Sequence, residues 1–230
     1  MSQVRMVVET LQSGLPVLVF DDYSREAEVD LIYPAWSVGP EEIYDLRVNA
    51  GGLICYATDS TITLALGIPW GDELLASYNS ILKLLASRRL GYGDRPAFTI
   101  WVNHVSVKTG ISDTDRSVTV RNLDDVVRLY YEGMVEEAKK KFYTEFQAPG
   151  HVPILAARRL EERRGHTELG IALTRIAGLR PSIVFAEVLV KGRSASLDEA
   201  RDMARKRGMP LVTGSDIVRW CYEVEVCRGS

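Results

Sequence analysis

Residues 16–34 read PVLVFDDYSREAEVDLIYP, and they combine two apolar runs with a cluster of acidic residues. Residues 16–20 form a short apolar run typical of a buried strand, and residues 31–33 form a second one. Between the two runs, the ten residues 21–30 carry five carboxylates. The stretch therefore predicts two strands joined by an acidic loop, which places polar side chains at a strand end, where binding sites tend to form.

Outside this stretch, strand-like and helix-like segments alternate along the chain. Helices are predicted over residues 3–12, 40–49, 73–90, 124–142, 167–177 and 196–207, with a last helix from Ser215. In the helix over 73–90 we expect the apolar side chains to face inward: Leu74, Leu75, Tyr78, Ile81, Leu82, Leu84 and Leu85. Further strands are predicted over residues 53–57, 97–105, 152–155, 183–190 and 211–212. Interleaved elements without a linker or a repeat predict a single mixed α/β domain over residues 1–230.

Composition and charge exclude several classes of protein. The chain has 28 Lys and Arg residues against 31 Asp and Glu, a net charge of -3, which argues against a nucleic-acid-binding protein. No apolar run approaches the roughly 20 residues that a membrane span needs. The N-terminus carries Glu9 and lacks the apolar core of a signal peptide. We therefore expect a cytoplasmic protein with no nucleic-acid or membrane partner.

The acidic loop is the first candidate site. In an extended conformation Glu26, Glu28 and Asp30 share one face at steps of roughly 6.5 Å, a spacing that suits a row of acids along a small polar substrate. The alternative is a charged edge or turn without a ligand. No G-x-G-x-x-G, G-x-x-x-x-G-K or G-x-S-x-G pattern occurs, so dinucleotide, P-loop and esterase sites are not indicated.

A second group of candidates opens the helix near residue 167. Free backbone N–H groups at a helix start favour an anion, and Arg163 adds a planar guanidinium group for phosphate oxygens. His166 can bind a metal there, or it can be a helix-capping or surface residue. Glu187 lies within the apolar run IVFAEVLV, where it is a candidate general acid or base, or one partner of a buried salt bridge.

Three further positions carry weaker indications. The turn at residues 148–151 delivers His151 to the start of a strand. Residues 109–116 form a polar loop rich in hydroxyl groups, which can serve a site or only cap the next helix. Cys55 follows Gly51 and Gly52 in a strand, and it can be a catalytic thiol or a small buried apolar residue.

Taken in order, these segments resemble the 3,4-dihydroxy-2-butanone 4-phosphate synthase family of riboflavin biosynthesis. Residues 21–31 match the family pattern D-D-x-x-R-E-x-E-G-D-L except that Val29 replaces the glycine. Four more patterns follow in the family order: G-L-I-C at 52–55, T-G-I-S-x-x-D-R at 109–116, P-G-H-V at 149–152 and R-x-G-H-T-E at 163–168. Glu187 falls on the glutamate of the next strand. The resemblance covers nearly the whole chain, although the stretch between His151 and His166 is short and lacks the family's paired glycines.

The resemblance implies a fold, a reaction and an assembly. The fold is a single-domain α/β sandwich, with a mixed sheet and surrounding helices. The reaction converts D-ribulose 5-phosphate to L-3,4-dihydroxy-2-butanone 4-phosphate and formate with Mg²⁺, and a set of oxygen and imidazole ligands suits Mn²⁺ equally. The assembly is a homodimer with its active site at the subunit interface. Because the chain ends at residue 230, we expect a synthase without the fused GTP cyclohydrolase II module of some relatives.

The resemblance also assigns roles residue by residue. The metal ligands are Glu26 and His166. The sugar would contact Arg25, Glu26, Asp30 and Glu187, and the phosphate would contact Arg163 and Thr167. Catalytic roles fall on His151 and Glu187, with Glu28 and Asp30 as further acids of the row.

Two other functions remain open from the residues alone. The same parts suit a different metal-dependent lyase or isomerase that acts on a phosphorylated sugar. A non-catalytic module that binds phosphate or RNA is disfavoured by the charge balance and by the acidic loop.

Overall fold

A seven-stranded mixed sheet forms the centre of the computed structural model, which describes residues 2–225. In chain order its strands are β1 Val17–Phe20, β2 Val29–Pro34, β3 Cys55–Asp59, β4 Phe98–His104, β5 Phe146–Ala157 and β6 Ser182–Glu187, with β9 Leu211–Thr213. Two short strands, β7 Leu189–Val190 and β8 Arg193–Ser194, form a separate hairpin. The sheet order is β4-β5-β3-β6-β2-β1-β9, in which β3 with β5 and β1 with β9 are parallel and the other pairs are antiparallel.

Helices cover both faces of this sheet. They are α1 Gln3–Gln12, α2 Pro40–Asp45 with a π-helical continuation Leu46–Ala50, α3 Ser60–Ala65, α4 Gly71–Tyr78, α5 Ser80–Ala86, α6 Asp113–Tyr131, α7 Val135–Glu145, α8 His166–Ile176, α9 Leu197–Arg207 and α10 Gly214–Glu223. One apolar core lies between the sheet and α1, α8 and α10, and the other between the sheet and α2, α6, α7 and α9. The predicted α/β sandwich is therefore confirmed. Among residues 2–225, no helix is both long and apolar enough to cross a membrane.

The helix predicted over residues 73–90 is wrong in two respects. It is two helices, because Asn79 is extended with φ -158° and its side chain caps α5 by accepting a hydrogen bond from the backbone N–H of Leu82. The side chains expected inward are also largely exposed, namely Leu74, Leu75, Tyr78, Ile81, Leu84 and Leu85. Periodicity shows that a helix has an apolar face, but only the tertiary structure shows whether another element covers that face.

The helix predicted over residues 124–142 also differs from the structure. Helix α6 begins earlier, at Asp113, where the hydroxyl of Ser112 accepts a hydrogen bond from the backbone N–H of Asp115. Helix α6 ends at Tyr131, and Gly133 lies between it and α7 with a φ of +82°, a conformation that favours glycine. Much of the polar loop at 109–116 is thus the cap and first turn of a helix.

Two predicted strands have different limits in the structure. The short strand predicted over residues 152–155 is the inner part of the long strand β5. The strand predicted over 183–190 ends at Glu187, and the residues after Val188 turn away to pair with β8. Glu187 is therefore the last residue of β6 and is half-buried, rather than an interior residue of a central strand.

Candidate active site

The acidic loop, β2, β6 and the start of α8 converge on one cavity of about 460 Å³. Seven of the nine residues proposed from the sequence line it: Glu26, Glu28, Asp30, Arg163, His166, Thr167 and Glu187. Its apolar wall is formed by Leu53, Cys55, Phe98, Leu155 and Phe185, among others. A cavity with an apolar wall and converging charged groups is the usual form of a small-molecule site.

Sheet register explains why the acids of two distant segments meet. Strand β2 lies between β1 and β6, so that Asp30 is directly opposite Glu187 on one side and Val19 on the other. Directly opposite residues in antiparallel strands have side chains on the same face of the sheet. Asp30 and Glu187 are therefore neighbours although 157 positions separate them in the sequence.

Asp21, which the sequence analysis assigned no role, organises the acidic loop. Its buried carboxylate accepts hydrogen bonds from the backbone N–H of Glu26 at 3.2 Å and of Glu28 at 3.1 Å. It also accepts one from the guanidinium group of Arg25 at 3.2 Å. A carboxylate that follows a buried strand and precedes a tight loop is a recognisable pattern for this role. Asp21 thereby directs the side chains of the loop toward the cavity.

His166 is held by the end of β1. Its Nε2 lies 3.2 Å from the carbonyl oxygen of Val19, and since a carbonyl oxygen can only accept, Nε2 carries the proton. Nδ1 then faces Glu26 Oε2 at 3.7 Å and Asp30 Oδ2 at 3.6 Å. Burial alone would lower the pKa of His166, but the charge of Asp30 and the carboxylate of Glu26 raise it to about 9.

Glu26 and His166 have the geometry of a cation site. One oxygen of Glu26, one oxygen of Asp21 and one nitrogen of His166 all lie within 4.8 Å of one another. Two Mg²⁺–ligand bonds of about 2.1 Å span at most about 4.2 Å, so the 3.7 Å between Glu26 and His166 allows one ion to bind both. The hydrogen bond from Nε2 to Val19 fixes the ring as protein metal sites require. Because Asp21 is already engaged by the loop, Glu26 and His166 fit the ion best.

The carboxylates of the cavity differ in their readiness to ionise. Burial and the charges of Glu187, Glu26 and Glu28 raise the pKa of Asp30 to about 7, against the lowering effect of His166. Burial likewise raises the pKa of Glu28. Burial also works to raise the pKa of Glu26, but hydrogen bonds with His166 and Tyr92 lower it to about 2. Ionised and protonated acids can therefore stand side by side in this cavity near neutral pH.

Glu187 and Glu28 share one hydroxyl group. The Oγ atom of Ser194, in β8, lies 2.8 Å from Glu28 Oε1 and makes a shorter contact with Glu187 Oε1. A serine hydroxyl has a single proton to donate, so Ser194 either shares it between the two carboxylates or accepts a hydrogen bond from a protonated Glu28. In the part of the chain that the structure describes, Glu187 has no ion pair, and the salt-bridge alternative lacks support. Ser194 carries no motif in the sequence and was not predicted.

Gly52 allows the chain to approach Glu187 closely. Its backbone N–H donates to the Glu187 carbonyl oxygen at 3.0 Å. A Cβ atom at position 52 would lie 2.8 Å from that oxygen and 2.9 Å from the Glu187 nitrogen, closer than such contacts allow. Only glycine leaves room for this approach, so the G-L-I-C pattern has a physical reason in the placement of Glu187.

Arg163 and Thr167 form the cationic end of the cavity. The guanidinium group of Arg163 is largely buried, pairs with Glu168 and lies against Gly165, where a Cβ atom would clash with it. Its Nε is buried without a hydrogen-bond partner among residues 2–225. Thr167 is the second residue of α8, whose N-terminal N–H groups favour an anion. An unpaired donor, a cation and a helix N-terminus together suit a phosphate group.

Arg25 and two residues that the sequence analysis did not single out form the rim. Arg25 donates to Asp94 Oδ2 at 2.7 Å, and its guanidinium carbon lies 4.8 Å from the centre of the Tyr92 ring. The Tyr92 hydroxyl donates to Glu26 in a short hydrogen bond. Neither Tyr92 nor Asp94 belongs to a pattern that identifies it in the sequence; both come from the segment between α5 and β4.

His151 lies outside this cavity. It is exposed near the outer end of β5, where its backbone N–H donates to the Asn103 side chain at 2.8 Å. Leu155, which lines the cavity, is four residues further along the same strand, or about 13 Å away. A single chain therefore does not bring His151 to the acids.

Cys55 and Val29 are both buried. Cys55 is buried in the cavity wall, and burial together with the charge of Asp30 raises the pKa of its thiol, which disfavours the reactive thiolate. Val29 is the buried first residue of β2 and packs in the core. The side chain that replaces the family's glycine thus points away from the cavity and takes no space from a ligand.

Known proteins are similar to this chain in both sequence and fold. The family model for 3,4-dihydroxy-2-butanone 4-phosphate synthase matches residues 5–220. The synthase of that name from Archaeoglobus fulgidus is 36% identical over 230 aligned residues, which cover 95% of each chain. A crystal structure of a 3,4-dihydroxy-2-butanone 4-phosphate synthase in complex with two magnesium ions aligns with a TM-score of 0.74 and 30% identity, over 99% of this chain and 100% of that one. The two-domain synthase RibBX from A. baumannii aligns with a TM-score of 0.76 and 27% identity; 96% of this chain matches 58% of it.

Proposed function

This chain belongs to the 3,4-dihydroxy-2-butanone 4-phosphate synthase family of riboflavin biosynthesis, and on that premise we propose that it converts D-ribulose 5-phosphate to L-3,4-dihydroxy-2-butanone 4-phosphate and formate. One observation carries the proposal: a single cavity is lined by a row of acids, a candidate metal pair and a phosphate-type anion site. The match over residues 5–220 supports treating residues 1–230 as one synthase domain. The cytoplasm as the place of the reaction is part of the same proposal.

The polarity of the cavity orients the substrate. Arg163, Thr167 and the N-terminus of α8 would bind the phosphate. The sugar hydroxyls would then extend toward Arg25, Glu26, Asp30 and Glu187. Binding energy from the phosphate, remote from the bonds that break, holds the reacting carbons in place.

Glu26 and His166 would hold Mg²⁺ or Mn²⁺. The low pKa of Glu26 keeps its carboxylate ionised, and Nδ1 of His166 lies 3.7 Å from it. Because the pKa of His166 is raised to about 9, an ion would have to displace the proton from Nδ1 near neutral pH. When bound, such an ion supplies Lewis acidity to the oxygens of a ketose. With only two side chains as ligands, other positions remain for substrate hydroxyls and water.

The remaining acids move protons. A base must take the proton from carbon 3 of the ketose to give an enediol, and an acid must protonate the hydroxyl that leaves carbon 1 as water. Asp30, with a pKa of about 7, can serve in either protonation state near neutral pH. Glu28, whose pKa burial raises, and Glu187 both contact Ser194 and would exchange the second proton with the substrate. The skeleton then rearranges, and a water molecule adds to the carbonyl of carbon 4, which leaves as formate, so that the water lost from carbon 1 is replaced and the reaction balances.

A homodimer would complete the site. His151 is assigned a catalytic role by the family resemblance, yet it is exposed and about 13 Å from the cavity-lining part of its own strand. A second copy of the chain that packs on this face can insert its own His151 into the cavity. The exposed apolar side chain of Trp101 on the neighbouring strand supports an interface here.

Formate release tests the proposal directly. The purified chain is incubated with ribulose 5-phosphate and Mg²⁺, and formate is measured with formate dehydrogenase; we expect one formate for each ketose consumed. Ribose 5-phosphate, which lacks the ketone, is the control and should give none. Consumption of ribulose 5-phosphate without formate would instead indicate a different lyase or isomerase, and no consumption at all would indicate a binding module.

A further inference from the structure

Residues 87–96, between α5 and β4, form a segment that closes one side of the cavity. Leu90, Tyr92 and Pro96 of this segment line the cavity directly. The segment has no regular secondary structure of its own. Its position therefore depends on the side-chain contacts that it makes with the rest of the site.

Asp94 makes two of these contacts. Its carboxylate accepts a hydrogen bond from Arg25 at 2.7 Å and lies 3.9 Å from Nε of Arg163. The second distance is too long for a hydrogen bond, which agrees with the unpartnered state of that nitrogen among residues 2–225. Asp94 thus neutralises two guanidinium groups at the anion-binding end of the cavity without satisfying both.

We propose that Asp94 is an internal substitute for the substrate phosphate, which must displace it to bind, so that Asp94 makes the site selective for phosphorylated ligands. The proposal rests on the proposed function because it takes Arg163 as the phosphate ligand. A phosphate dianion has more charge than a carboxylate and an additional oxygen acceptor, so it can satisfy the Arg163 nitrogen that Asp94 leaves unpaired. An unphosphorylated sugar offers no charge with which to replace Asp94.

A neighbouring cavity can receive the displaced carboxylate. A cavity of about 230 Å³ shares Asp94 and Arg163 with this region, and its other charged lining residues are three arginines and one carboxylate: Arg89, Arg95, Arg158 and Glu162. Arg158 donates to the backbone of Pro96 and lies over the Trp70 ring. Asp94 can therefore turn from Arg25 toward a cavity in which arginines outnumber carboxylates, which limits the free-energy cost of its displacement.

The counter-charges around Arg95 supply a matched control. Asp72 lies 3.7 Å from Arg95 Nε, outside the main cavity. Asp72→Asn removes the same charge from the same neighbourhood as Asp94→Asn, but it leaves the pairs of Arg25 and Arg163 intact. A general effect of net charge on anion binding would appear in both variants, whereas a local effect would appear only in Asp94→Asn.

Inorganic phosphate is the probe, with its Kd measured by isothermal titration calorimetry on the full chain without substrate. We expect Asp94→Asn to bind phosphate about tenfold more tightly than the wild type, as expected when one charge-assisted contact no longer has to be broken. Asp72→Asn should bind like the wild type. Equal or weaker binding by Asp94→Asn, or no binding to it at millimolar phosphate, would overturn the proposal.

Hydrogen exchange of the wild-type chain provides a second measurement that needs no variant. Saturating phosphate should speed the exchange of backbone amides in residues 87–96, because the segment loses its contact with Arg25; unchanged exchange would contradict the proposal. The formate assay remains a separate test. A wild type that releases formate while Asp94→Asn binds phosphate no more tightly refutes the role of Asp94 alone, whereas absent formate refutes the proposed function.

Discussion

Nε2 of His166 donates a hydrogen bond to the carbonyl oxygen of Val19 at 3.2 Å, and this contact ties the first residue of α8 to the end of β1. It fixes both the ring orientation and the position of the ring proton. The other ring nitrogen, Nδ1, consequently faces Glu26 and Asp30. A contact between a backbone group and a side chain 147 positions apart thus prepares the imidazole for a cation.

Replacing either proposed metal ligand should abolish metal binding and formate release together. His166→Ala removes the nitrogen ligand, and Glu26→Gln removes the negative charge that faces it. Binding of Mn²⁺ by electron paramagnetic resonance and formate release are measured for each variant. His104→Ala is the control, because His104 pairs with Glu145 away from the cavity. Full turnover of His166→Ala, or of the wild type in excess chelator, would contradict the metal assignment.

Glu187→Gln should reduce formate production by about two to four orders of magnitude with little change in Tm. The substitution keeps the size of the side chain and its contact with Ser194 but removes a group that can take up a proton. Turnover and thermal unfolding are measured on the same preparation. If Glu187 were instead one partner of a buried ion pair, the substitution would cost about 3–5 kcal/mol of folding stability. A variant that melts much earlier but turns over normally would remove Glu187 from the mechanism.

Arg163→Ala should act mainly on substrate binding. Loss of a charge-assisted contact to phosphate costs on the order of 1.5–3 kcal/mol, or roughly ten- to a hundredfold in kcat/KM. Steady-state kinetics with ribulose 5-phosphate measure the change, and Arg201→Ala, an exposed residue of α9, is the control. Unchanged KM and kcat/KM in Arg163→Ala would show that other residues bind the phosphate.

Mixing two inactive variants should restore activity if His151 acts across a subunit interface. In a dimer of one His151→Ala chain and one Glu187→Gln chain, one of the two sites has both native residues. Random exchange makes about half of the dimers mixed, so about a quarter of wild-type activity should return. The variants are unfolded and refolded together and separately, and formate release is compared. No recovery in the joint sample, despite a dimeric mass, would confine His151 to its own chain.

Asp45 should make the stability of the fold sensitive to acid. Burial works to raise its pKa, but hydrogen bonds from Arg207 at 2.6 Å, Tyr33 at 2.5 Å and Asn49 lower it below the usual value. A lowered pKa stabilises the fold above the unfolded-state value of about 3.9, and this contribution is lost as the pH falls through the folded-state value. We expect Asp45→Asn to lower Tm at pH 7 and to reduce the difference in Tm between pH 7 and pH 3.

The control for Asp45 is Asp198→Asn, which removes an exposed carboxylate paired with Arg201 on the surface of α9. Exposed pairs contribute little to stability, so its Tm should follow the wild type at both pH values. Equal pH dependence of Tm in Asp45→Asn and the wild type would contradict the role given to Asp45.

Much of the cavity could be predicted from the sequence because its residues belong to short local patterns. The acid row, Arg163, His166 and Thr167 all follow from the acidic loop and the helix start, and the structure brings them into one cavity. Residues that act through non-local contacts could not be found in this way. Ser194, Tyr92 and Asp94 reach the site only because their segments fold over it.

Local sequence patterns predict the alternation of strands and helices, the acidic loop and the anion-binding helix start, since each depends on neighbouring residues and on local periodicity. Which of these residues come into contact follows only from the tertiary structure. Sheet register places Asp30 opposite Glu187, and the carbonyl group of Val19 in β1 fixes the orientation of the His166 ring. The tertiary structure also leaves His151 outside the cavity and the apolar face of α4 and α5 exposed. These outcomes depend on contacts between residues far apart in the chain, and periodicity carries no information about the partner across such a contact.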